Sequence, residues 1–346
     1  MNYQDKNVGQ PCCFTTKASE DNKLLLIEIT NRCNLNCDYC HSFPNSGSEL
    51  KLSDERLIEL LAECKEENFK SVIISGGEPL LSKRVFTVAK TAKTLGLKTD
   101  LCTNGTILND NLLEQIKNNY DSVTVTLDTI NPAVYSLMKR CNSEMHYKVV
   151  QNLKTLVMAG MKVGVTIVLT KHNISNIHDT LTFMCEIGVN KVSLLRLYNF
   201  TSESSNIDFH FSNDLIKRIK SIVKLFPNMD IRFKGWDFCS FKCPPCTAGR
   251  FVFSVEHGGH LLPCILIRET SPACDLSKTS LKCAMQSETI VDIANHFKYM
   301  PECDCTHNKN CAKGCIATAY GNSNQIIPDI RCNKKANNEG GDSIVQ

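Results

Sequence analysis

Between residues 24 and 233 the chain repeats one pattern six times, and that repeat limits the fold more than any other feature. A short run rich in β-branched and apolar residues is followed each time by a longer amphipathic segment. The strand candidates are Leu24–Ile29, Ser71–Ser75, Lys98–Cys102, Ser122–Leu127, Lys162–Leu169 and Lys191–Leu197. Helical spacing occupies 53–68, 83–95, 109–119, 145–159, 174–187 and 212–226, with Ser53, Asn109 and Ser212 as N-caps and Gly96, Gly160 and Gly188 at helix ends. Six such units predict an α/β fold with a parallel sheet and right-handed crossovers, open or closed into a partial (β/α)6 barrel. Folds of this kind carry their chemistry at the C-terminal ends of the strands.

After residue 235 the character changes: strands shorten, helical patterns weaken, and eleven of the twenty cysteines fall between Cys239 and Cys332. The expected organisation is an N-terminal extension over 1–23, a barrel over 24–234, a small cysteine-rich domain over 235–332 and a polar tail over 333–346. Twenty cysteines do not suit a disulfide framework in a reducing cytosol, so metal or cluster ligation is the better reading. The formal charge of +3, without a dominant Lys/Arg run, points away from nucleic acid and from an acidic membrane. No signal peptide and no membrane-spanning stretch is visible, so a cytoplasmic location is expected.

The loop after the first strand reads Thr30-Asn31-Arg32-Cys33-Asn34-Leu35-Asn36-Cys37-Asp38-Tyr39-Cys40, a C-x3-C-x2-C spacing with no fourth cysteine nearby. A structural zinc site asks for four protein ligands. Three thiolates on a four-iron cubane leave one iron open to an exogenous ligand. His41 is an awkward fourth ligand, because it directly follows Cys40.

This triad, with Tyr39 before its last cysteine, resembles the radical S-adenosylmethionine superfamily. The resemblance implies that Cys33, Cys37 and Cys40 hold a 4Fe–4S cluster whose open iron chelates the methionine moiety of S-adenosylmethionine. One electron then cleaves the sulfonium to a 5′-deoxyadenosyl radical, which abstracts hydrogen from a substrate. Gly76-Gly77-Glu78-Pro79 after the second strand is similar to the family's GGEP segment, which contacts the methionine amino group. Thr103 and Asn104 after strand three, and Thr126 and Asp128 at the end of strand four, resemble positions near the ribose and carboxylate. Arg140 is placed by the same resemblance to pair with the methionine carboxylate, and Val163–Val168 resembles the segment beside the adenine. Taken singly, these residues read equally well as an Asn-Gly turn, a capping Asp, a solvated Arg and an ordinary core strand.

Cys246, then Cys264, then Cys303, Cys305, Cys311, Cys315 and Cys332 resemble in their order the SPASM domain, an auxiliary-cluster module of radical enzymes that modify peptides or proteins. By that analogy one auxiliary cluster uses Cys239 or Cys243 with Cys246, Cys264 and Cys315, and a second uses Cys303, Cys305, Cys311 and Cys332. The single residue between Cys303 and Cys305 departs from the family's usual two, and Cys243 lies unusually close to Cys246. A zinc ribbon is the alternative for the same spacing.

Cys102 and Cys141 are expected near the C-terminal mouth of the barrel, where a thiol can donate a hydrogen atom to a substrate radical. Cys64 and Cys185 read as small buried residues inside helices. The resemblance implies a ribosomally made peptide as substrate and an external one-electron reductant of the flavodoxin or ferredoxin type. The short N-terminal extension leaves peptide recognition to the barrel mouth, the cysteine-rich domain or a separate recognition protein. Ile265 after Cys264 counts against the sulfatase-maturing subfamily, where an acid stands. The alternatives are a radical dehydrogenase or epimerase of a sugar or aminocyclitol, and a non-catalytic iron–sulfur or zinc scaffold.

Overall fold

The computed structural model describes residues 22–40, 47–197, 212–236, 246–268 and 274–299, together with Cys315 and Ala317. The expected alternation is present unit by unit. It runs β1 (Lys23–Glu28), α1 (Asp54–Glu66), β2 (Phe69–Ser75), α2 (Val85–Thr94), β3 (Lys98–Thr103), α3 (Asp110–Asn119) and β4 (Ser122–Thr126). It continues through α4 (Pro132–Lys139), α5 (Ser143–Met158), β5 (Val163–Leu169), α6 (Ile177–Glu186), β6 (Lys191–Arg196), α7 (Asn213–Lys224) and β7 (Asp230–Lys234). The three expected N-caps form: Ser53 accepts the Arg56 N–H at 3.1 Å, Asn109 that of Leu112 at 2.9 Å and Ser212 that of Leu215 at 3.3 Å.

Two elements, α4 and β7, lie beyond the sequence expectation. The helix is eight residues long, too short to show a period. Its start is nevertheless written locally, because Asn131 accepts the N–H groups of Ala133 and Val134 and Pro132 takes the first turn. Cys185 lies on the exposed face of α6, whereas Cys64 is fully buried as expected.

Strands β1 to β7 pair in parallel and in chain order. On the far side of β1 the sheet goes on. β8 (Val252–Val255) pairs parallel with β1, β9 (His260–Leu262) antiparallel with β8, and β10 (Cys274–Asp275) antiparallel with β9. The short α8 (Leu281–Met285) and α9 (Glu288–Tyr299) follow. The sheet therefore continues across the boundary expected at residue 235. Among the described residues its edges are β10 and β7.

Alternation along each strand gives the sheet two unlike faces. One face, with Leu25, Ile27, Ile74, Val125, Ile167 and Leu194, packs against the helices in the main core. The other lines the lumen. There Leu24, Leu26 and Ile73 meet Val252, Leu262 and Ile265 from the C-terminal region. Much of the rest of that face is polar: register places Asp100, Ser122, Thr124, Thr126, Thr166 and Ser193 on it, beside the apolar Val168 and Leu195. No helix among the described residues is long and apolar enough to cross a membrane.

Candidate active site

The sequence motifs meet at the C-terminal ends of β1 to β4. As β1 ends, the chain enters the loop carrying Cys33, Cys37 and Cys40, all partly accessible. The loop leaving β2 runs directly beside it: the Gly77 N–H donates to the Thr30 carbonyl at 2.8 Å and the Glu78 N–H to that of Arg32 at 2.7 Å. A Cβ on Gly76 would strike the Thr30 carbonyl oxygen, and one on Gly77 that of Arg32. Backbone is the neighbour in both cases and cannot swing away, so the glycines allow the close approach of two loops.

Glu78 ties this pair of loops to a third. Its carboxyl is fully buried and accepts from the Thr103 hydroxyl (2.8 Å), the Asn104 N–H (2.7 Å) and the Leu80 N–H (3.1 Å). Burial pushes its pKa up to about 7 against the pull of these donors. Held this way, Asn104 points its carboxamide back at the cysteine loop, donating to Asn34 Oδ1 (2.9 Å) and Cys33 Sγ (3.7 Å). Leu35 N–H also donates to Cys33 Sγ at 3.4 Å. Pro79 begins a short 3-10 turn that carries the chain on to α2.

A fourth contact comes from β4 and α4. Asp128 is buried, with Oδ1 accepting the Val168 N–H at 2.7 Å and Oδ2 receiving the Tyr39 hydroxyl and, at 2.8 Å, the ammonium of Lys139. Lys139 Nζ also donates to the Tyr39 oxygen and stands 4.9 Å from that ring's centre. Burial works against the charge on Lys139, but Asp128 and Tyr39 together outweigh it and hold the group protonated. The family resemblance places Asp128 and Arg140 near the cosubstrate. Both Asp128 oxygens are engaged within the protein, and Arg140 pairs with Asp38 on the outside of the loop. Lys139 was missed, although the Asn131-Pro132 start puts it one turn after Tyr135 on the same helix face.

Cys33 and Cys37 are both shifted upward by burial, Cys37 to about 12, with the neighbouring thiols adding to the shift and Lys139 opposing it for Cys37. Iron binding must therefore displace protons from these thiols.

Comparison with known proteins fits this arrangement. Residues 27–184 match the Radical SAM superfamily model, a span that includes the triad, the Gly-Gly-Glu-Pro loop and the Asp128–Lys139 pair. Over that span the chain is similar to the radical S-adenosylmethionine superfamily. Curated relatives include probable GTP 3′,8-cyclases. That of Sulfurisphaera tokodaii is 28% identical over 56% of this chain and 62% of its own length, so the match leaves more than a third of that relative uncovered. That of Methanocaldococcus jannaschii is 26% identical over 72% of this chain and 87% of its own length. Among solved structures, Streptococcus suis SuiB bound to S-adenosylmethionine superimposes with a TM-score of 0.76 at 18% identity, over 91% of this chain and 78% of SuiB. The same enzyme has been solved with its precursor peptide SuiA, and anSMEcpe with S-adenosylmethionine matches at 0.73 and 16% identity, over 91% and 94% of the two chains.

The donor set suits the superfamily's cluster. Three thiols from one loop, one of them already accepting N–H groups, match the ligands and the N–H···S bonds that a thiolate-ligated cubane uses. Among the described residues, no three His, Cys, Asp or Glu side chains gather as a site for a metal ion.

Thr126 and Cys102 lie on the lumen face, where Cys102 pairs in register with Thr124. Burial raises the Cys102 pKa and keeps it a thiol. Cys141 follows α4 and packs against the helix-side core instead. In the C-terminal region Cys246, Cys264 and Cys315 all pack around the apolar cluster of the lumen. Cys239, Cys243, Cys303, Cys305, Cys311 and Cys332 lie outside the described residues.

Proposed function

We propose that this chain is a peptide-modifying radical S-adenosylmethionine enzyme whose C-terminal cysteines hold auxiliary iron–sulfur clusters, as in the SPASM branch. One observation carries the reading: likeness to SuiB and anSMEcpe, both also solved with peptides, covers 91% of this chain and so reaches well beyond residues 27–184. The common cluster of Cys246, Cys264 and Cys315 supports the first auxiliary site. When bound, the radical-generating cluster supplies the electron that cleaves S-adenosylmethionine.

The protein's own residues define the rest. Cys33, Cys37 and Cys40 are the ligands, and the glycine loop and Asn104 hold Cys33 in place. A substrate entering from the C-terminal mouth meets Thr126, Thr166 and Cys102 on a polar wall. Cys102 is the hydrogen-atom donor in this reading. Its S–H bond breaks as a substrate C–H bond forms, and an electron from a flavodoxin- or ferredoxin-type donor, with a proton from solvent, restores the thiol. Recognition of the peptide falls to the mouth, the C-terminal region or a separate recognition protein, and the whole operates in the cytoplasm.

A second reading, a small polar substrate such as a nucleotide, is favoured by the GTP 3′,8-cyclase relatives. Anaerobic reconstitution with iron counting, followed by mass spectrometry with candidate precursor peptides and with GTP, separates the two. The peptide reading expects about twelve irons per chain, 5′-deoxyadenosine formation abolished by Cys33→Ala, and a mass change on a peptide. About four irons with turnover of GTP alone would overturn it.

A further inference from the structure

The C-terminal turn of α4 touches the cysteine loop through three consecutive residues, and no sequence motif announces this. The Met138 carbonyl accepts the Asp38 N–H at 3.1 Å. Lys139, 2% exposed, reaches under the loop to the Tyr39 hydroxyl and to Asp128. Arg140 reaches over it to Asp38. Arg140 has a φ of 49°, a left-handed conformation that costs a non-glycine residue free energy. Beside that turn the adjacent side chains Lys139, buried, and Arg140, exposed, hold the consecutive loop residues Tyr39 and Asp38.

We propose that the end of α4 is a clamp, with Lys139 as its positioning residue, and that it fixes the Cys37–Cys40 arc to β4 before any cluster arrives. A lysine is rarely buried to this degree without partners. This one has two, Asp128 at the end of β4 and Tyr39 between the last two cysteines, 100 residues away in sequence. Asp128 is itself anchored to β5 by the Val168 N–H. The line of contacts therefore runs from two adjacent sheet strands, through one ammonium, to the residue between two ligands. Tyr135 closes the pocket from the helix side, its ring centre 5.8 Å from Nζ. The clamp supplies geometry and a buried positive charge beside Cys37, and it takes part in no bond-breaking step. It deepens the reading above, since the loop it fixes is the one assigned to the radical-generating cluster.

The test uses amide hydrogen exchange of the full, metal-free chain over residues 33–40, so its outcome does not depend on whether a cluster binds. In Lys139→Met, exchange of the Asp38 amide should rise about ten-fold while β5 keeps its protection. Tyr39→Phe, which removes only the hydroxyl, should raise it by a smaller factor. The double variant Asp128→Asn/Lys139→Met carries no unpaired buried charge, so it remains interpretable if Lys139→Met alone fails to fold. Its loop should still exchange faster than wild type. Wild-type exchange in Lys139→Met, or a return to the wild-type rate in the double variant, would overturn the proposal, because Lys139 would then merely neutralise Asp128. In reconstituted protein the same variants should lose iron to a chelator faster than wild type, in the same order as their exchange rates. Retention equal to wild type would remove the clamp's role in holding the cluster.

Discussion

The two faces of the sheet are made by the same strands and have opposite chemistry. On β6, Ser193 looks into the lumen and Leu194 into the helix-side core, one residue apart and both buried. The helix-side face is mostly hydrocarbon, broken by Thr99, Thr103 and Arg196, and supplies most of the driving force for folding. The lumen face carries hydroxyls, a thiol and charges, which add little to stability but make a wall that a polar substrate can wet. The contrast shows that burial alone does not mark the core of this protein. What separates scaffold from site is which face of a strand a residue occupies.

The comparison is open to direct attack. The largest effect is expected from Leu194→Ala, which removes a fully buried side chain from the packed face and should cost about 2–5 kcal/mol in urea unfolding. Next comes the pH dependence of Glu78. Its carboxyl titrates near 7 in the folded chain, above its ordinary value, so the folded state holds a proton that the unfolded state has lost between those values. Stability from this group is therefore present at low pH and falls as pH rises towards 7, by up to about 3 kcal/mol; the slope should vanish in Glu78→Gln. Gly77→Ala should cost about 1–3 kcal/mol through backbone overlap with Arg32, and should lower iron retention in reconstituted protein by more than its stability loss accounts for. The smallest effect is expected from Ser193→Ala, within about 1 kcal/mol on urea unfolding. Equal losses for Ser193→Ala and Leu194→Ala would break the distinction between the faces.

Much of this was written locally. Strands and helices of the six repeats follow from periods of two and of three to four residues, and the caps at Ser53, Asn109 and Ser212 are local hydrogen bonds. The cysteine loop and the glycine loop were legible as motifs. Their direct backbone contact was not, because it joins Thr30 and Arg32 to residues some 45 positions on. Lys139 and Arg140 show the limit more sharply. In sequence they are two adjacent cations, and only the positions of Asp128, Tyr39 and Asp38 decide which one is buried. The pairing of β8 with β1 was equally hidden, since nothing in Val252–Val255 names a partner more than 220 residues earlier.

That last pairing bears on how the chain is made. β1 leaves the ribosome more than 220 residues ahead of Val252–Val255, and one of its hydrogen-bonding edges stays open until that segment has emerged to cover it. Until then Leu24 to Ile27, an apolar run, presents an unpaired template to any other chain. A shortened form that stops near residue 235 would keep the cysteine triad and the glycine loop but expose that edge for good. The last third of the sequence is thus also a guard against self-association, shielding the strand that leads into the site.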